Sequence, residues 1–430
     1  MRSAEEMRGL QRLPLDIKVA MTMDRIREWV DTYGDDGVCI SFSGGKDSTV
    51  LLHLVRSYAP NVKAVFSDTG LEYPEIRNFV KTFDNVDWIK PKMTFGEIVG
   101  QYGYPLFSKE ISNTIWYARK LRGGGAFTTS AEQLRDSVCD RARDETMDEG
   151  RTMPGTSGQT NCRRKKIQGA LQGKGRKRDK SRTEVRYSTT YKTPFFNGQE
   201  DRDKSIFNKE KYLPACRELP FLISSNCCGI MKKRPMAAYQ RETGRKPFIG
   251  TLAEESMLRL QGWIKTGCNA FDSDHPISKP LSFWTEQDIL EYIKSNGLEI
   301  APVYGDIVAV DEQGNEYDNT LLPCGKLKCT GASRTGCMYC AYGAGNEHKR
   351  LGKSRFERLA ETHPKVYDYV MRGGEWADNP YYDPTAPKID PVDGWENWNP
   401  KKIWVPSKDG LGMRFVFEKV NEIYNDYIRF

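Results

Sequence analysis

The sequence predicts an α/β fold: a doubly wound parallel sheet with a basic insertion and a cysteine-rich C-terminal region. Three observations point there. Short β-branched runs alternate with helical runs between residues 23 and 83, the βαβ pattern of a parallel sheet. Periodicity then fades across roughly 90 residues rich in Arg, Lys, Asp, Gly and Ser. Finally, Cys324, Cys329, Cys337 and Cys340 gather in one short, loop-rich stretch.

The elements follow in chain order. Met23 to Trp29 has helical spacing, and Gly34 breaks the helix. Val38-Cys39-Ile40-Ser41-Phe42 reads as a buried strand, too short and too β-rich for a helix. Thr49 to Val55 is apolar on most sides and suits a helix packed on a sheet. Val62 to Phe66 is a second buried strand, and Pro74 to Phe83 a second helix. Gly123-Gly124-Gly125 opens the insertion, and regular signals resume at Leu219 to Ile223. Phe248-Ile249-Gly250 predicts a strand, Glu286 to Lys294 an amphipathic helix, and Phe415 to Tyr427 a terminal helix. There is no internal repeat.

Composition narrows the class. With 38% hydrophobic and 29% charged residues, the 430-residue chain is no disordered protein. No apolar stretch reaches 18 residues, so no spanning helix and no membrane partner is expected. From the charged start Met1 to Arg8, which has no apolar stretch, no secretory signal is expected. Eleven cysteines then suggest a reducing compartment, and the expected location is cytoplasmic. The net charge of +7 is uneven: residues 163–192 hold 12 Lys or Arg against 2 acids. That segment can neutralise the phosphates of a nucleic-acid partner, or be a solvated loop.

Between the first strand and its helix lies Ser41-Phe42-Ser43-Gly44-Gly45-Lys46-Asp47-Ser48. Two glycines let backbone approach an anion, and the helix start offers free N–H groups with a positive dipole end. Ser43 and Ser48 add hydroxyls, and Lys46 adds charge. It is not a Walker A loop, and Gly352-Lys353-Ser354 lacks the upstream glycine that such a loop needs. Asp47 has two readings, a cap on the helix start or a ligand to Mg2+.

These residues resemble the PP-loop of the N-type ATP pyrophosphatases, also called adenine nucleotide alpha hydrolases. Asp68-Thr69-Gly70 with Pro74-Glu75 resembles the second-strand motif of the phosphoadenosine phosphosulfate (PAPS) reductase branch. The likeness continues through Cys227-Cys228, Gly250 to Ser256, Trp284 to Ile289, Tyr304-Gly305 and Cys337-Met338-Tyr339-Cys340. It covers roughly residues 20–115 and 215–370 and none of the insertion. The implied division is a PP-loop core in two parts, 1–120 and 215–303, around the insertion 121–214, with a cysteine-rich region 304–430.

The resemblance implies an adenine nucleotide, ATP with Mg2+, cut or activated between its α- and β-phosphates. Ser41, Ser43, Gly44, Gly45, Lys46, Asp47 and Ser48 would hold the phosphates, with Lys46 and Asp47 catalytic. Asp68, Thr69 and Gly70 would border the nucleoside pocket, and Glu254, Glu255 and Ser256 would line the nucleotide site. Lys109, Lys232, Lys233, Arg234 and Arg259 are further candidates for phosphate contacts, or ordinary surface charge.

Cys337-x2-Cys340 alone fits zinc, a cluster or a redox pair. Adjacent Cys227-Cys228 strains a single tetrahedral zinc, and the resemblance implies a [4Fe–4S] cluster on Cys227, Cys228, Cys337 and Cys340. Zinc and uncoordinated thiols are the alternatives, as is a local site of Cys324, Cys329, Cys337 and Cys340. Cys39 reads as a small core residue.

Two departures bear on function. Sulfonucleotide reductases attack with a cysteine on a C-terminal tail, whereas no cysteine follows Cys340 here. The intact Ser-Gly-Gly-Lys-Asp-Ser suits ATP. The expected activity is therefore ATP-dependent adenylation of an acceptor for sulfur transfer, with a nucleic acid as acceptor and a sulfur-donor protein as possible partner. True PAPS or adenylyl-sulfate reduction is the alternative, as is non-catalytic nucleotide or nucleic-acid binding.

Overall fold

The structure is a computed structural model and describes residues 2–122, 210–311, 316–317, 326–385 and 398–430. The basic segment 163–192, Cys139, Cys162 and Cys324 lie outside the described residues.

Helices α1 (Ala4–Gln11) and α2 (Leu15–Tyr33) precede β1 (Val38–Ser41), α3 (Lys46–Tyr58), β2 (Lys63–Ser67), α4 (Pro74–Val80) and β3 (Val86–Ile89). Next come α5 (Phe95–Tyr102), β4 (Leu106–Phe107), α6 (Lys109–Arg122) and α7 (Leu213–Glu218). A continuous helical run then joins α8 (Asn226–Cys228), a π turn (Gly229–Lys233) and α9 (Arg234–Thr243). After β5 (Lys246–Ile249) follow α10 (Met257–Thr266), β6 (Asn269–Ala270), β7 (Ile277–Ser278) and α11 (Glu286–Ser295).

Among the described residues these strands form one six-stranded sheet in the order β3-β2-β1-β5-β7-β6. All neighbours are parallel except the β6–β7 pair. The order reverses direction at β1, which pairs with β2 on one side and β5 on the other. Crevices at such a switch point, outside the carboxyl ends of the strands, are where open α/β sheets bind ligands. The loop after β1 opens there.

Alternation along β1 explains why both faces are covered. Val38 and Ile40 join a core with Trp29, Leu51, Leu54 and Phe248, beneath α2 and α3. Cys39 points the other way, packing with Val65 and Tyr239 of α9. Burial raises its thiol pKa to about 12, so it is a core residue as expected. Lys18 of α2 is buried and bonds both carboxylate oxygens of Asp288, at 2.9 and 2.7 Å, and Gln11 O at 2.7 Å. Asp288 also completes the capping box of α11 with Thr285, so one ion pair ties α2 to α11.

The rest of the chain comprises β8 (Ile307–Val310), β9 (Glu316–Tyr317), β10 (Lys326–Cys329), β11 (Ala341–Tyr342), α12 (Glu347–Leu351), α13 (Arg355–Thr362), α14 (Pro364–Met371), β12 (Glu375–Asp378), β13 (Lys402–Val405) and α15 (Met413–Tyr424). A second apolar core joins α5, β4 and α6 to Phe221, Ile230, Met338, Phe356 and Phe417. The strand β11 lies parallel to β4.

Two stretches differ from the sequence reading. Leu219 to Ile223 is largely buried but, among the described residues, makes only the bridge Tyr104–Ile223. Its carbonyls find other donors: Arg119 bonds Phe221 O at 2.5 Å and Leu219 O at 2.9 Å, and Trp398 Nε1 bonds Leu219 O at 2.9 Å. Arg119 also bonds Cys216 O and Ala215 O and stacks on Trp398, 4.0 Å from the ring centroid. The terminal helix stops at Tyr424 because Asn425 and Asp426 take left-handed φ of 46° and 52°, and Asn421 bonds Ile428 N and O instead.

Candidate active site

The PP-loop folds around its own hydroxyls. Ser48 Oγ accepts from Ser43 N at 3.2 Å and donates to Gly45 O at 2.8 Å, while the Ser43 and Ser48 hydroxyls lie 3.1 Å apart. Gly44 sits at φ 70°, and a Cβ there would come within 2.7 Å of Val80 Cγ2 and 2.9 Å of Ile76 Cγ2. Only glycine fits both the left-handed turn and the close approach of α4. Gly45 is the N-cap residue of α3. Gly250, just past β5, packs against the backbone of Asp47 and Ser48, where a Cβ would lie 3.1 Å from Asp47 O. The end of β5 is thereby locked to the start of α3.

Lys46 is buried instead of standing free at the loop mouth. Its ammonium pairs with Glu286 at the start of α11 and donates to Ser333 O at 3.0 Å. Its backbone N–H donates to the Tyr304 hydroxyl at 3.4 Å, and that hydroxyl lies 2.5 Å from Thr335 Oγ1. Burial raises the Asp47 carboxyl pKa, with Glu286 pushing the same way and Lys46, Arg334 and Arg259 opposing. Glu254 accepts from Glu286 N at 2.7 Å; Glu255 pairs with Arg259 and lies 3.7 Å from Arg334. Ser256 caps α10. Glu254 and Glu255 thus hold the charged rim of the loop.

Asp68-Thr69-Gly70 turns at the end of β2, with Gly70 at φ 73°. Asp68 Oδ2 accepts from Arg77 at 2.9 Å. Glu72 accepts from Thr69 N at 3.1 Å and Thr69 Oγ1 at 2.7 Å, and lies 3.5 Å from Lys232. Met338 N donates to Leu71 O at 2.8 Å, fastening the cysteine segment to this turn.

Cys227, Cys228, Cys337 and Cys340 converge from the α8 turn and the segment before β11, close enough for their charges to act on one another. Cys228 accepts a hydrogen bond from Cys227 and faces Lys109 and Lys232, which together hold its pKa near 6 against burial. The same hydrogen bond, with burial, drives Cys227 upward. Burial raises Cys337, and Cys340 to about 11. Among the described residues no three His, Cys, Asp or Glu side chains stand in a metal-ligating arrangement. The donor set nevertheless suits a thiolate-bound metal centre: four soft sulfurs with two lysines to balance their charge. Cys329 is elsewhere. It packs against the sheet core and feels Lys46 and Glu286.

The phosphoadenosine phosphosulfate reductase domain family matches residues 37–100 and 181–341, just over half of the chain. The chain belongs to this family. An adenosine 5'-phosphosulfate reductase of Staphylococcus haemolyticus (strain JCSC1435) is 30% identical over 129 residues, 27% of this chain and 52% of that protein. A phosphoadenosine 5'-phosphosulfate reductase of Xylella fastidiosa (strain M23) is 37% identical over 54 residues, 13% of this chain and 23% of that one. The chain thus spans about half, or less, of the curated relatives it matches. A crystal structure of phosphoadenylyl-sulfate (PAPS) reductase from Candida auris, a phosphate complex, aligns at 12% identity over 70% of this chain and 91% of that chain, with TM-score 0.28.

Within this family member the candidate cations divide by place. Lys109 and Lys232 stand at the thiols, and Arg259 at the PP-loop rim. Sequence reasoning did not single out Glu286, Ser333, Arg334 and Thr335. Glu286 lies inside a quoted motif, Trp284 to Ile289, whereas Ser333 to Thr335 are visible only by their nearness to Cys337. Among the described residues no helix is long and apolar enough to cross a membrane.

Proposed function

We propose that the chain is an ATP-cleaving member of the PAPS reductase family that adenylates an acceptor for replacement of oxygen by sulfur. One observation carries this reading. The segment Ser333 to Cys340 touches Lys46 at one end and supplies two of the four thiols at the other. Four residues from Ser333 to Cys337 reach at most about 14 Å, so an activated phosphoryl group and a thiol centre share one strap.

Ser43, Gly44, Gly45 and Ser48 bind the phosphates, Lys46 exchanges Glu286 for a phosphate oxygen, and Glu254, Glu255 and Ser256 shape the rim. Asp47, desolvated beside Glu286, fits a ligand to Mg2+, which would neutralise the β- and γ-phosphates. The acceptor oxygen bonds the α-phosphorus as the α–β bond breaks and pyrophosphate leaves. Hydrosulfide-level sulfur from a donor protein then takes the place of that oxygen, which departs on AMP. Cys227, Cys228, Cys337 and Cys340 would hold a [4Fe–4S] cluster, a group able to bind sulfur or pass electrons. A nucleic-acid acceptor rests on the charge of residues 163–192.

ATP–pyrophosphate exchange is the test. Run with bulk RNA and with bulk DNA as acceptor, exchange that disappears in Lys46→Ala supports the reading, and its absence from the wild-type protein with both refutes it. The activities of the relatives favour a second reading, reduction of a sulfonucleotide with a partner's thiol. Sulfite release from PAPS in the presence of thioredoxin would establish that instead.

A further inference from the structure

The strap formed by residues 331–340 crosses the mouth of the PP-loop and is fixed on both sides of that crossing. Gly331 N and Ala332 N donate to Tyr304 O and Val303 O at 2.8 and 2.9 Å, and Met338 N donates to Leu71 O at 2.8 Å. Between these anchors, residues 333–336 make no backbone–backbone hydrogen bond among the described residues, and Ser333, Arg334 and Gly336 are exposed. The middle is held from below, at the start of α3. Ser333 O accepts from the Lys46 ammonium at 3.0 Å. Thr335 Oγ1 lies 2.5 Å from the Tyr304 hydroxyl, which accepts from Lys46 N at 3.4 Å. A Cβ on Gly45, the N-cap of α3, would meet that hydroxyl at 3.2 Å and Thr335 Oγ1 at 3.7 Å. The strap therefore lies over the face that a phosphate would approach.

We propose that residues 333–335 are a displaceable clasp on the PP-loop: a nucleotide's phosphates lift it, and the chain leading to Cys337 is freed only then. The inference rests on the PP-loop being the phosphate site, as in the proposed function, and adds an order of events to it. Clasp and phosphates draw on the same donors, the Lys46 N–H and ammonium, so each weakens the other's hold by the same factor. Charge decides which yields. A carbonyl and a neutral hydroxyl are weaker acceptors for these donors than phosphate oxygens are. Local stability decides what moves: an exposed arch without ladder bonds opens easily, while the anchors on Val303, Tyr304 and Leu71 keep its ends in place. Nucleotide arrival is thereby passed along the chain to the thiol segment, which loosens after ATP binds and not before.

The test uses the whole protein, prepared without oxygen, as wild type and as Thr335→Val and Tyr304→Phe. Both substitutions delete a hydroxyl and little else, and neither removes a group assigned to the phosphates. Calorimetric titration with α,β-methylene-ATP reads affinity, and hydrogen–deuterium exchange across residues 331–340 reads the strap. Each variant should bind the analogue about threefold to tenfold more tightly, because fewer contacts have to be broken. The analogue should speed exchange at residues 333–337 by at least about tenfold in the wild type and add little in the variants. Slower exchange with the analogue, or weaker binding in the variants, would show a strap that closes on the nucleotide and would overturn the clasp. Affinity unchanged in both variants would overturn it too. A variant with a lowered melting temperature is set aside, and the wild-type exchange response then decides. Analogue bound without an exchange response removes the clasp and leaves the proposed function. A full response in a protein without pyrophosphate exchange removes the adenylation and leaves the clasp. A wild type that binds no analogue refutes the phosphate site and the clasp with it.

Discussion

Lys46 and Asp47 adjoin in sequence but face different electrostatic problems. Lys46 is paired with Glu286, so Lys46→Ala should abolish pyrophosphate exchange and also loosen the contact between α3 and α11. Asp47 has a raised pKa, so its ionised form is the costly one in the fold. An acid raised in this way takes up protons on folding, and its contribution to stability falls as pH rises from the unfolded to the folded value. Asp47→Asn should therefore match or exceed the wild type in thermal stability at neutral pH, while losing at least tenfold in exchange. A less stable Asn variant at pH 7 would contradict the burial argument. Gly44→Ala should cost about 1–3 kcal/mol in urea unfolding, because it combines left-handed strain with overpacking against α4.

At the scale of elements, the buried pair of Lys18 and Asp288 joins helices 270 residues apart. Lys18→Met should destabilise by about 3–5 kcal/mol, since it strands a buried carboxylate. Adding Asp288→Leu should restore part of the loss, measured from the urea midpoint. Local pattern made much of this architecture legible. The strands at Val38 and Val62 and the helices at Thr49, Pro74 and Glu286 each carry their own period or cap. What local pattern does not encode is who satisfies a distant backbone. Leu219 to Ile223 has the composition of a strand, yet Arg119 and Trp398 supply donors that a sheet neighbour would have given. The PP-loop is readable for the same reason as the strands, as a contiguous motif. The rim formed by Glu286, Ser333 and Arg334 is assembled from separate segments and is not.

Across the whole molecule, the four thiols come from two segments held within one apolar core. If they bind a cluster, anaerobically purified protein should be brown with about four irons per chain. Cys228→Ser and Cys340→Ser should lower both iron and melting temperature. Cys329→Ser should retain iron, because Cys329 packs in the other core, against the sheet. A colourless protein with one zinc, prepared from iron-replete cells, would refute the cluster. Iron lost from Cys329→Ser would instead favour the local four-cysteine alternative.

Arg119 has one more consequence. Its side chain is buried, with its pKa lowered to about 10 by burial, and its carbonyl partners lie 96 to 102 residues further along the chain. Among the described residues, Arg119 of α6 thus latches onto α7 and the stretch after it. Residues 123–180, outside the stretches that the family model matches, should accordingly tolerate exchange. Replaced by a short Gly-Ser linker, they should leave melting temperature and pyrophosphate exchange near wild type while weakening any salt-sensitive affinity for nucleic acid. Such a latch fixes its two flanks against each other whatever the length of chain between them, so that added residues there cost the scaffold little beyond loop closure.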